Sequence, residues 1–560
     1  MRKNAGSGKL GRPVEKGAFG TVSTALLSAW HALGGEYVFL VPGAQITYFL
    51  EALNHHPHLS PVVAVQELSA AFMACGYARA SGKPTVVASI GGPGAAYMVA
   101  AAQVARVDQL PVCFITGNIS ADAHGKGEFQ DASPSGTNDS RIFREAIGLS
   151  TICACPDDVP RVIRDIQSAF EEKRPLHIQI PVDVQMAPCS FPLALKIRKE
   201  IREEILNIPR IVSDRTRVVL FLGARAIDIL NSPKLYEFAK RHLIAVMTDC
   251  GARGMVPEGS LVSIGYVGFR SSQGALMALW GPAQYRAERV ICVGVKEEKI
   301  QKYVSEGIES VSVQAPQFRR YLEKSGGTDQ SLLLMTRRQE WLQTLTANNH
   351  SPSQSVPGGQ GEFTYQELFS ILKRAMPYNT RYCLDAGQVR LAGTLLMSCH
   401  EPNMMIQSDA LSPMGFGLCA SIGVKLASPQ RPVVALIGDG SFRMFGVEIS
   451  TARRYRLPII FLILDNQKFA STSNWGLSNE YVDLPETDWG LFAESMGIRC
   501  YRAFSSDELL HTLNQCRRLD GPVVLWVRME DTVNEALRQE NHLEFSNWLS
   551  EFRKNRSQNL

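Results

Sequence analysis

The sequence lacks the features that would suit the chain to a membrane or to nucleic acid. Its 58 lysines and arginines nearly balance its 54 aspartates and glutamates, so the formal net charge is only +4 over 560 residues. Such a small excess argues against a basic surface for nucleic acid or anionic lipid. No apolar run approaches the roughly 20 residues that cross a bilayer. We therefore expect neither a nucleic-acid partner nor a membrane partner.

The twelve cysteines lack the spacing of a metal site. Cys153 and Cys155 are close together, but no second cysteine or histidine pair accompanies them, which argues against bound zinc. Scattered thiols are typical of a reducing cytosol, so we expect a cytoplasmic protein. Residues 1–19 are basic and rich in glycine without the apolar core of a secretion signal. We interpret them as a flexible arm.

What the sequence does contain is a repeated alternation of apolar strand patterns with helical patterns. This alternation predicts an α/β fold of three consecutive parallel-sheet domains. Strands are predicted at 38–41, 62–65, 85–89, 112–116, 218–223, 244–248 and 290–294, and a helix at 67–81. The predicted parts are a first domain at 20–190, a central domain at 205–345, a polar linker at 346–362, a third domain at 363–545 and a tail at 546–560.

The stretch 433–468 carries the strongest pattern in the chain. VVALIG and IIFLILD are typical of buried strands, and the segment between them has a GDG turn and helical spacing. Polar residues at the carboxyl ends of parallel strands line the ligand crevice. Asp439 and Asn466 stand at two such ends, 466 − 439 = 27 positions apart. Their carboxylate and amide oxygens suit Mg²⁺, and glycines next to them suit a bound phosphate.

An ordinary strand end is the alternative for the GDG tripeptide alone. Together with the asparagine, however, the stretch resembles the thiamine diphosphate (ThDP) binding motif. The resemblance implies that Asp439, Asn466 and the backbone carbonyl of Lys468 bind Mg²⁺, and that Gly440 and Ser441 bind the cofactor. Two positions depart from the family pattern: Asp465 replaces the first asparagine, and Lys468 stands near a position that is usually small.

The segment QELSAAFMACGYARASGKPTVV resembles the family's HEQGAAHAAEGYARATGKPGVV. The resemblance implies that Glu67 is the catalytic glutamate, which shares a proton with N1′ of the cofactor's pyrimidine and so activates the cofactor. Sharing that proton requires a dry pocket, where protonation of a carboxylate is favoured. Taken alone, Glu67 would fit better as a helix-start residue stabilised by the helix dipole. The flanking GYARASGKP favours the catalytic role.

Two further segments resemble parts of the family that shape and hold ThDP. SDALSPMGFGLCASIG resembles SGGLGxMGFGLPAAIG, which implies that Met414 props the cofactor into a V shape and that the carbonyl of Ser412 accepts from the 4′-amine. Core packing is the alternative for Met414. LDAGQV resembles the turn that grips the diphosphate, which implies roles for Gly387 and Gln388. Three family glycines are replaced, by Asp409, Ala410 and Ser412.

The order of the three blocks resembles ThDP enzymes of the acetohydroxyacid synthase, pyruvate oxidase and pyruvate decarboxylase group. The resemblance implies a pyrimidine-binding first domain, a central domain and a diphosphate-binding third domain. It also implies a homodimer or homotetramer, because in relatives the cofactor lies between the first domain of one chain and the third domain of its partner. The cofactors implied are ThDP and Mg²⁺. The absence of a convincing flavin signature argues against bound FAD and an oxidase role.

Several features favour the acetohydroxyacid synthase branch. GEFQDASPSG resembles that branch's TDAFQE, which implies that Phe129 and Gln130 lie near the reacting carbon. Trp475 stands 475 − 466 = 9 positions after the metal asparagine, where the branch has a tryptophan that shapes the acceptor pocket. A core tryptophan is the alternative. The branch's RFDDR stretch, whose last arginine binds the acceptor carboxylate, is missing, which leaves Lys299 and Arg270 as candidates.

These features predict decarboxylation of a 2-oxo acid with transfer of the acyl anion to a carbonyl acceptor, as in an acetolactate synthase-like carboligase. The alternative is a 2-oxo acid decarboxylase or a 2-hydroxyacyl lyase on the same scaffold. A non-catalytic ThDP-binding subunit is a third reading, and the presence of Glu67, Asp439 and Asn466 argues against it. An NAD-dependent dehydrogenase is disfavoured, since no complete GxGxxG follows a strand.

Overall fold

The structure is a computed structural model that describes residues 20–189, 212, 215–268, 270–324, 331–347, 362–471 and 478–530. The chain divides into two compact units. Unit 1 comprises Met1–Val63, Pro84–Val99 and Val112–Arg202, and unit 2 comprises Ala64–Lys83, Ala100–Pro111 and Glu203–Leu560. Within the described ranges, no helix is long and apolar enough to span a membrane.

Residues 20–189 contain a six-stranded parallel sheet with the order β3-β2-β4-β5-β7-β6 and a short antiparallel pair of β1 with β8. The strands and α-helices are β1 (Gly20–Thr21), α1 (Val22–Ala32), β2 (Tyr37–Leu40), α2 (Thr47–Asn54), β3 (Ser60–Val63), α3 (Glu67–Ser81), β4 (Thr85–Ser89), α4 (Pro93–Val107), β5 (Val112–Asn118), α5 (Asp139–Ile147), β6 (Ser150–Ile152), α6 (Val159–Glu171), β7 (Leu176–Pro181), α7 (Val182–Met186) and β8 (Pro188–Cys189). The six strands belong to unit 1, whose core includes Val38, Val86 and Ile178.

Residues 215–347 contain a five-stranded parallel sheet with the order β11-β10-β9-β12-β13. The elements are β9 (Val218–Leu222), α8 (Ser232–His242), β10 (Ala245–Asp249), β11 (Ser263–Val267), α9 (Gln273–Trp280), β12 (Arg289–Val293), α10 (Glu297–Tyr303), β13 (Glu309–Val313), α11 (Ala315–Lys324) and α12 (Leu332–Ala347). Strands β9, β10 and β12 are buried over their whole length, because helices cover both faces of such a sheet.

Residues 362–530 contain a second six-stranded parallel sheet, with the order β15-β14-β16-β17-β19-β18. The elements are α13 (Tyr365–Ala375), β14 (Arg381–Leu384), α14 (Gln388–Leu396), β15 (Met405–Ile406), α15 (Phe416–Ala427), β16 (Val433–Gly438), α16 (Asp439–Phe445), α17 (Ile449–Arg454), β17 (Ile459–Asp465), α18 (Asn479–Val482), α19 (Trp489–Ser495), β18 (Arg499–Ala503), α20 (Ser506–Gln515) and β19 (Val523–Arg528). The predicted fold class, with three consecutive parallel-sheet α/β regions, is confirmed.

Helix α3 packs closely against α15 within unit 2. A Cβ atom at Gly76 would lie 2.3 Å from the carbonyl oxygen of Ala420, and one at Gly423 would lie 1.9 Å from the carbonyl oxygen of Met73. Only glycine permits two backbones to approach this closely. Residues 69–79 of α3 are all buried. Because α3 begins at Glu67, this contact fixes the helix that carries the predicted catalytic residue.

The stretch 433–468 differs in detail from its prediction. The GDG sequence does not form a separate turn, because β16 ends at Gly438 and α16 begins at Asp439. The segment with helical spacing forms two short helices, α16 and α17, which are separated by a 3-10 turn at Gly446–Glu448. The strand predictions around it are confirmed, and β16 pairs in parallel with β17 along its whole length.

Candidate functional site

The predicted cofactor residues surround the point where the third sheet reverses its strand order. Strand β14 lies between β15, which follows it in the chain, and β16, which comes after β15. Ligands of open parallel sheets bind beyond the carboxyl ends of the strands at such a point. Residues 386–389 follow β14 and residues 438–441 surround the end of β16, and both segments line one pocket of about 110 Å³.

The same pocket brings together most of the side chains predicted from the sequence. Its lining includes Gly387, Gln388, Met414, Asp439, Gly440, Ser441, Asn466 and Lys468. Four stretches from the range 387–468 therefore meet at one edge of the sheet, because β14, β16 and β17 are parallel neighbours. Ser412 and Glu67 are not among the lining residues that the structure describes.

Asp439 is the first residue of α16 and is only 1% exposed. Its Oδ2 atom is buried and has no hydrogen-bond partner within the described ranges. Burial, and then the nearby charge of Asp465, raise the pKa of Asp439 to about 7. A buried carboxylate oxygen without a partner is unfavourable unless a cation or a donor satisfies it. A cation bound at this end of the sheet would satisfy that oxygen.

Asn466 and Lys468 follow the adjacent strand β17. The Oδ1 atom of Asn466 accepts from the backbone N–H of Lys468 at 3.3 Å. Lys468 forms an isolated backbone bridge with Asp483, and its ammonium group lies 4.0 Å from the Asp483 carboxylate. The lysine side chain, which departs from the family pattern, thus pairs with Asp483. The backbone bridge and the ion pair with Asp483 thus hold the segment that would present the carbonyl of Lys468.

Asp465, which stands in place of the family's first asparagine, is buried and has partners. Its Oδ2 atom accepts from Nε1 of Trp526 at 2.9 Å, and its Oδ1 atom accepts from the backbone N–H of Gln467 at 3.2 Å. The carboxylate thus anchors the start of the loop after β17 to the neighbouring strand β19. It also adds negative charge near Asp439, which favours a cation there.

Gly387 and Gln388 form the start of α14. Gly387 has a φ of +90°, a left-handed conformation that favours glycine. Gln388 is 6% exposed, and its Nε2 atom donates to the carbonyl oxygen of Ala470 at 2.9 Å. Its Oε1 atom is buried with no hydrogen-bond partner within the described ranges. A second polar atom of the pocket is therefore left for a donor from a bound ligand.

Asp385 supports the site, and the sequence patterns did not single it out. This buried carboxylate accepts from the backbone N–H groups of Gly415 at 2.8 Å and Leu418 at 3.2 Å, and from the hydroxyl of Ser441 at 2.8 Å. Burial raises the pKa of Asp385, and these hydrogen bonds act in the opposite direction. Asp385 thereby joins the ends of β14 and β16 to the start of α15. Its place directly before the Ala-Gly-Gln turn was the available signal.

Ser412 and Met414 lie in the loop that precedes α15. Ser412 has a φ of +46°, which is unusual for a residue other than glycine. This conformation agrees with the resemblance, in which the family has a glycine at that position. The backbone N–H of Ser412 donates to the hydroxyl of Ser408 at 3.2 Å, which holds the loop in this shape. Met414 is half-buried and lines the pocket, so it does not serve core packing alone.

Two segments of the chain match models of known protein families. Residues 385–527 match the family described as thiamine pyrophosphate enzyme, C-terminal TPP binding domain. Residues 20–137 match the family described as thiamine pyrophosphate enzyme, N-terminal TPP binding domain. The chain belongs to the thiamine pyrophosphate enzymes. Thiamine pyrophosphate is another name for ThDP, so the predicted enzyme class is confirmed.

Several acetolactate synthases are similar to this chain in sequence. The probable acetolactate synthase large subunit of Methanocaldococcus jannaschii is 25% identical over 548 residues, which cover 90% of each chain. The acetolactate synthase isozyme 2 large subunit of Escherichia coli is 25% identical over 547 residues, which cover 91% of this chain and 95% of that one. The predicted likeness to acetolactate synthases is confirmed at the level of sequence.

A solved structure supports the fold. The ThDP-dependent 4-hydroxybenzoylformate decarboxylase of Rhodococcus jostii RHA1 has a TM-score of 0.72 and 20% identity, and the match covers 92% of this chain and 100% of that chain. At this identity the comparison shows the shared fold alone.

The pocket fits the diphosphate and metal end of ThDP. The unpartnered Oδ2 of Asp439 suits Mg²⁺, and a carboxylate with an amide oxygen is an oxygen donor set that this ion prefers. A Cβ atom at Gly440 would lie 2.8 Å from the ring of Phe469, so glycine keeps that wall open. The left-handed Gly387 lets the turn before Gln388 bring its backbone to the pocket.

Glu67 is the first residue of α3, is half-buried and does not line this pocket. It stays a predicted catalytic residue. Phe129 and Gln130 belong to unit 1. The Phe129 ring is 81% exposed, and the carbonyl oxygen of Gln130 accepts from Gln45 at 3.0 Å. Trp475 lies outside the described residues.

Of the two candidates for binding an acceptor carboxylate, Lys299 has a partner in the central region. Its ammonium group lies 2.5 Å from the Asp249 carboxylate at the end of β10. Arg270 has a φ of +58° in the loop after β11. The pairing with Asp249 neutralises Lys299 and so weakens its case as an anion-binding residue.

Proposed function

We propose that this enzyme uses ThDP and Mg²⁺ to decarboxylate a 2-oxo acid and to transfer the acyl group to a carbonyl acceptor. The observation that carries the proposal is the pocket at the reversal of strand order, where the buried Asp439 has an oxygen with no hydrogen-bond partner in the part of the chain that the structure describes. The similarity to acetolactate synthases over about 90% of the chain supports the carboligase outcome.

In this proposal, the third region holds the diphosphate end of the cofactor. Asp439, Asn466 and the carbonyl of Lys468 would hold Mg²⁺, and Gln388 would donate the second hydrogen of its Nε2 group to a diphosphate oxygen. Gly387 and Gly440 leave the room that a side chain would otherwise occupy. When bound, ThDP supplies a carbon nucleophile that also accepts the electrons released as CO₂ leaves.

The protein's contribution to that chemistry is positioning and proton control. Met414 would support the bent shape of the cofactor, and Ser412 would present its carbonyl oxygen to the 4′-amine. Glu67 would hold a proton at N1′ of the pyrimidine. Because Glu67 does not line the pocket that contains Asp439, we infer that a second copy of the chain supplies it. The active assembly is then a homodimer or a homotetramer.

A plain decarboxylase is the second candidate, and one observation favours it. An acceptor 2-oxo acid needs a cation for its carboxylate, whereas Lys299 is paired with Asp249 at 2.5 Å. An acyl group that meets no bound acceptor would be released as an aldehyde. Phe129, Gln130 and Trp475 are the proposed substrate residues in both cases, so they do not separate the two candidates.

The first experiment is incubation of the purified protein with ThDP, Mg²⁺ and a panel of 2-oxo acids, pyruvate first, followed by proton NMR. Signals of a 2-hydroxy-2-acyl acid or an acyloin would support the carboligase. Free aldehyde alone would support the decarboxylase. Consumption of no donor despite measurable ThDP binding would contradict both and favour a non-catalytic subunit.

The matched variants are Glu67→Gln and Glu297→Gln. Both glutamates are the first residue of a helix, but Glu297 is exposed on α10. Removing the ionisable group at Glu67 should abolish donor consumption, because general acid–base groups contribute about 10²–10⁴-fold. The Glu297 variant should keep wild-type rates. Equal activity of the two variants would contradict the role of Glu67.

A further inference from the structure

Glu448 is a buried carboxylate that no part of the proposed site accounts for. It closes the 3-10 turn Gly446–Glu448 after α16, 448 − 439 = 9 positions beyond Asp439. Its exposed fraction is 0%, and acidic residues are almost never buried to this extent unless they have partners. Its partners therefore indicate why the chain keeps a charge there.

Two of those partners are backbone N–H groups directly before Glu67. The Oε1 atom of Glu448 accepts from the N–H of Val65 at 3.0 Å and from the N–H of Gln66 at 3.2 Å. The other oxygen, Oε2, accepts from the hydroxyl of Thr451 at 2.8 Å. The three contacts lie within unit 2. They join residues almost 400 positions apart in the sequence.

The two N–H groups belong to the residues directly before α3, so the contact bears on how that helix begins. Gln66 is the N-cap of α3, its backbone is extended, and its side chain makes no capping hydrogen bond. The carbonyl oxygen of Gln66 accepts from Ala70 in the first turn of the helix. Glu448 thus holds the last two peptide groups before Glu67, while the packing of α3 holds the residues after it.

We propose that Glu448 is a positioning residue, which fixes the backbone before Glu67 and so directs the Glu67 side chain toward the cofactor. This inference rests on the proposed function, since it assigns Glu67 its catalytic role. Hydrogen bonds to an ionised acceptor are roughly twice as strong as neutral ones, so the carboxylate holds these peptide groups better than an amide could. Burial raises the pKa of Glu448, and its hydrogen bonds, first that of Thr451, oppose this shift.

The test compares Glu448→Gln with Thr451→Val. The first variant removes the charge that faces Val65 and Gln66, whereas the second removes only the Thr451 hydroxyl that donates to Oε2 and leaves the carboxylate in place. Amide hydrogen exchange of the cofactor-free protein is measured by mass spectrometry over residues 64–70. We expect exchange at Val65 and Gln66 to become about tenfold faster in Glu448→Gln, because a charged acceptor is replaced by a neutral one. Thr451→Val should match the wild type there.

Two measurements on the loaded enzyme separate positioning from general stability. The affinity for ThDP with Mg²⁺ should stay within about twofold in Glu448→Gln, because the residues around Asp439 are unchanged. Deuterium exchange at C2 of bound ThDP, and kcat, should both fall about tenfold, since a misplaced acid loses proton-transfer efficiency. Glu448→Asp keeps the charge on a shorter side chain and should show the same pattern, and it replaces Glu448→Gln if that variant does not fold.

The outcomes are distinct. Unchanged amide exchange at Val65 and Gln66, with ThDP still bound, would overturn the positioning role and leave the proposed function standing. Faster amide exchange with wild-type exchange at C2 would also overturn it. If the wild-type protein fails to bind ThDP, the proposed function falls, and the positioning role falls with it.

Discussion

The guanidinium group of Arg79 lies 3.0 Å from the carboxylate of Asp409, and both side chains are largely buried. Arg79 belongs to the last turn of α3, and Asp409 opens the loop that leads to Ser412 and Met414. The backbone N–H of Asp409 points to the Asp108 carboxylate, at 3.2 and 3.3 Å from its oxygens. Asp409 stands where the resemblance has a glycine. The structure therefore gives this departure a reason, because the side chain ties the loop to α3.

Replacement of Asp409 by alanine should lower the free energy of unfolding by about 3 kcal/mol, because it leaves the buried Arg79 without its nearest carboxylate. Urea unfolding of the cofactor-free protein measures this loss. The exposed Asp520 offers a control, and Asp520→Ala should change stability by less than about 0.5 kcal/mol. The double variant Arg79→Met with Asp409→Ala should lose less than the sum of the single losses. Strict additivity would show that the pair does not interact.

Asp439→Asn should have opposite effects on the cofactor-free and the loaded protein. Without cofactor, the variant removes a buried carboxylate whose Oδ2 atom has no partner in the described ranges. We expect its free energy of unfolding to rise by about 1 kcal/mol. With ThDP and Mg²⁺, we expect about tenfold weaker binding or more, because an amide is a poorer magnesium ligand than a carboxylate. Thermal unfolding with and without ThDP and Mg²⁺ measures both effects.

The neighbouring carboxylate supplies the control for that prediction. Both oxygens of Asp465 accept hydrogen bonds, from Trp526 and Gln467. Asp465→Asn should therefore destabilise the cofactor-free protein, whereas Asp439→Asn should not. Loss of stability in both variants would indicate that Asp439 has a structural role instead of a place in a metal site.

The close contact between α3 and α15 predicts a strong effect from one methyl group. A Cβ atom at Gly423 would lie 1.9 Å from the carbonyl oxygen of Met73, so Gly423→Ala must push the helices apart. We expect a loss of about 2 kcal/mol in stability, which is typical of an overpacked core. Nothing lies within 4 Å of a Cβ atom at Gly259, and Gly259→Ala should be nearly neutral. Similar melting temperatures of the two variants would contradict the observed packing.

The local patterns of the sequence were sufficient for the elements around the site. The helix predicted at 67–81 and the strand predicted at 85–89 have the observed bounds, because apolar spacing and flanking Gly and Pro determine them locally. The strand ends at Asp439 and Asn466 could also be predicted. Because β16 and β17 are parallel neighbours, their carboxyl ends lie side by side.

Contacts between distant residues could not be predicted in this way. Nothing in the local pattern near Glu448 indicates that its partners are Val65 and Gln66, because a hydrogen bond across almost 400 positions depends on how whole elements pack. The Arg79–Asp409 pair was missed for the same reason. The GDG tripeptide was expected to form a turn, since glycines favour turns, but the chain passes directly from Gly438 at the end of β16 into α16.

His177 has a defined structural role in unit 1. It is fully buried on β7. Its Nε2 atom lies 2.9 Å from the Thr116 hydroxyl, and its Nδ1 atom lies 2.8 Å from the Ser150 hydroxyl. Its ring stacks on that of Phe143, with centroids 4.1 Å apart. Burial lowers the pKa of His177 to about 3. The imidazole is therefore neutral in the folded protein across the physiological range.

This depressed pKa predicts how stability depends on pH. The unfolded chain protonates His177 below about pH 6.5 and the folded chain only below about pH 3, so the unfolded state binds more protons in between. The stability that this residue contributes is thus fully present above pH 6.5 and falls as the pH drops toward 3.

Between pH 7.5 and 4.5, the titration of His177 should lower the free energy of unfolding by about 2.5 kcal/mol. Over the same interval, the free energy of unfolding of His177→Gln should fall by about 2.5 kcal/mol less than that of the wild type, even if the variant is less stable at pH 7.5. His511→Gln changes an exposed histidine and should follow the wild type. Urea unfolding at the two pH values measures the difference, and parallel pH profiles for all three proteins would show that His177 titrates alike in both states.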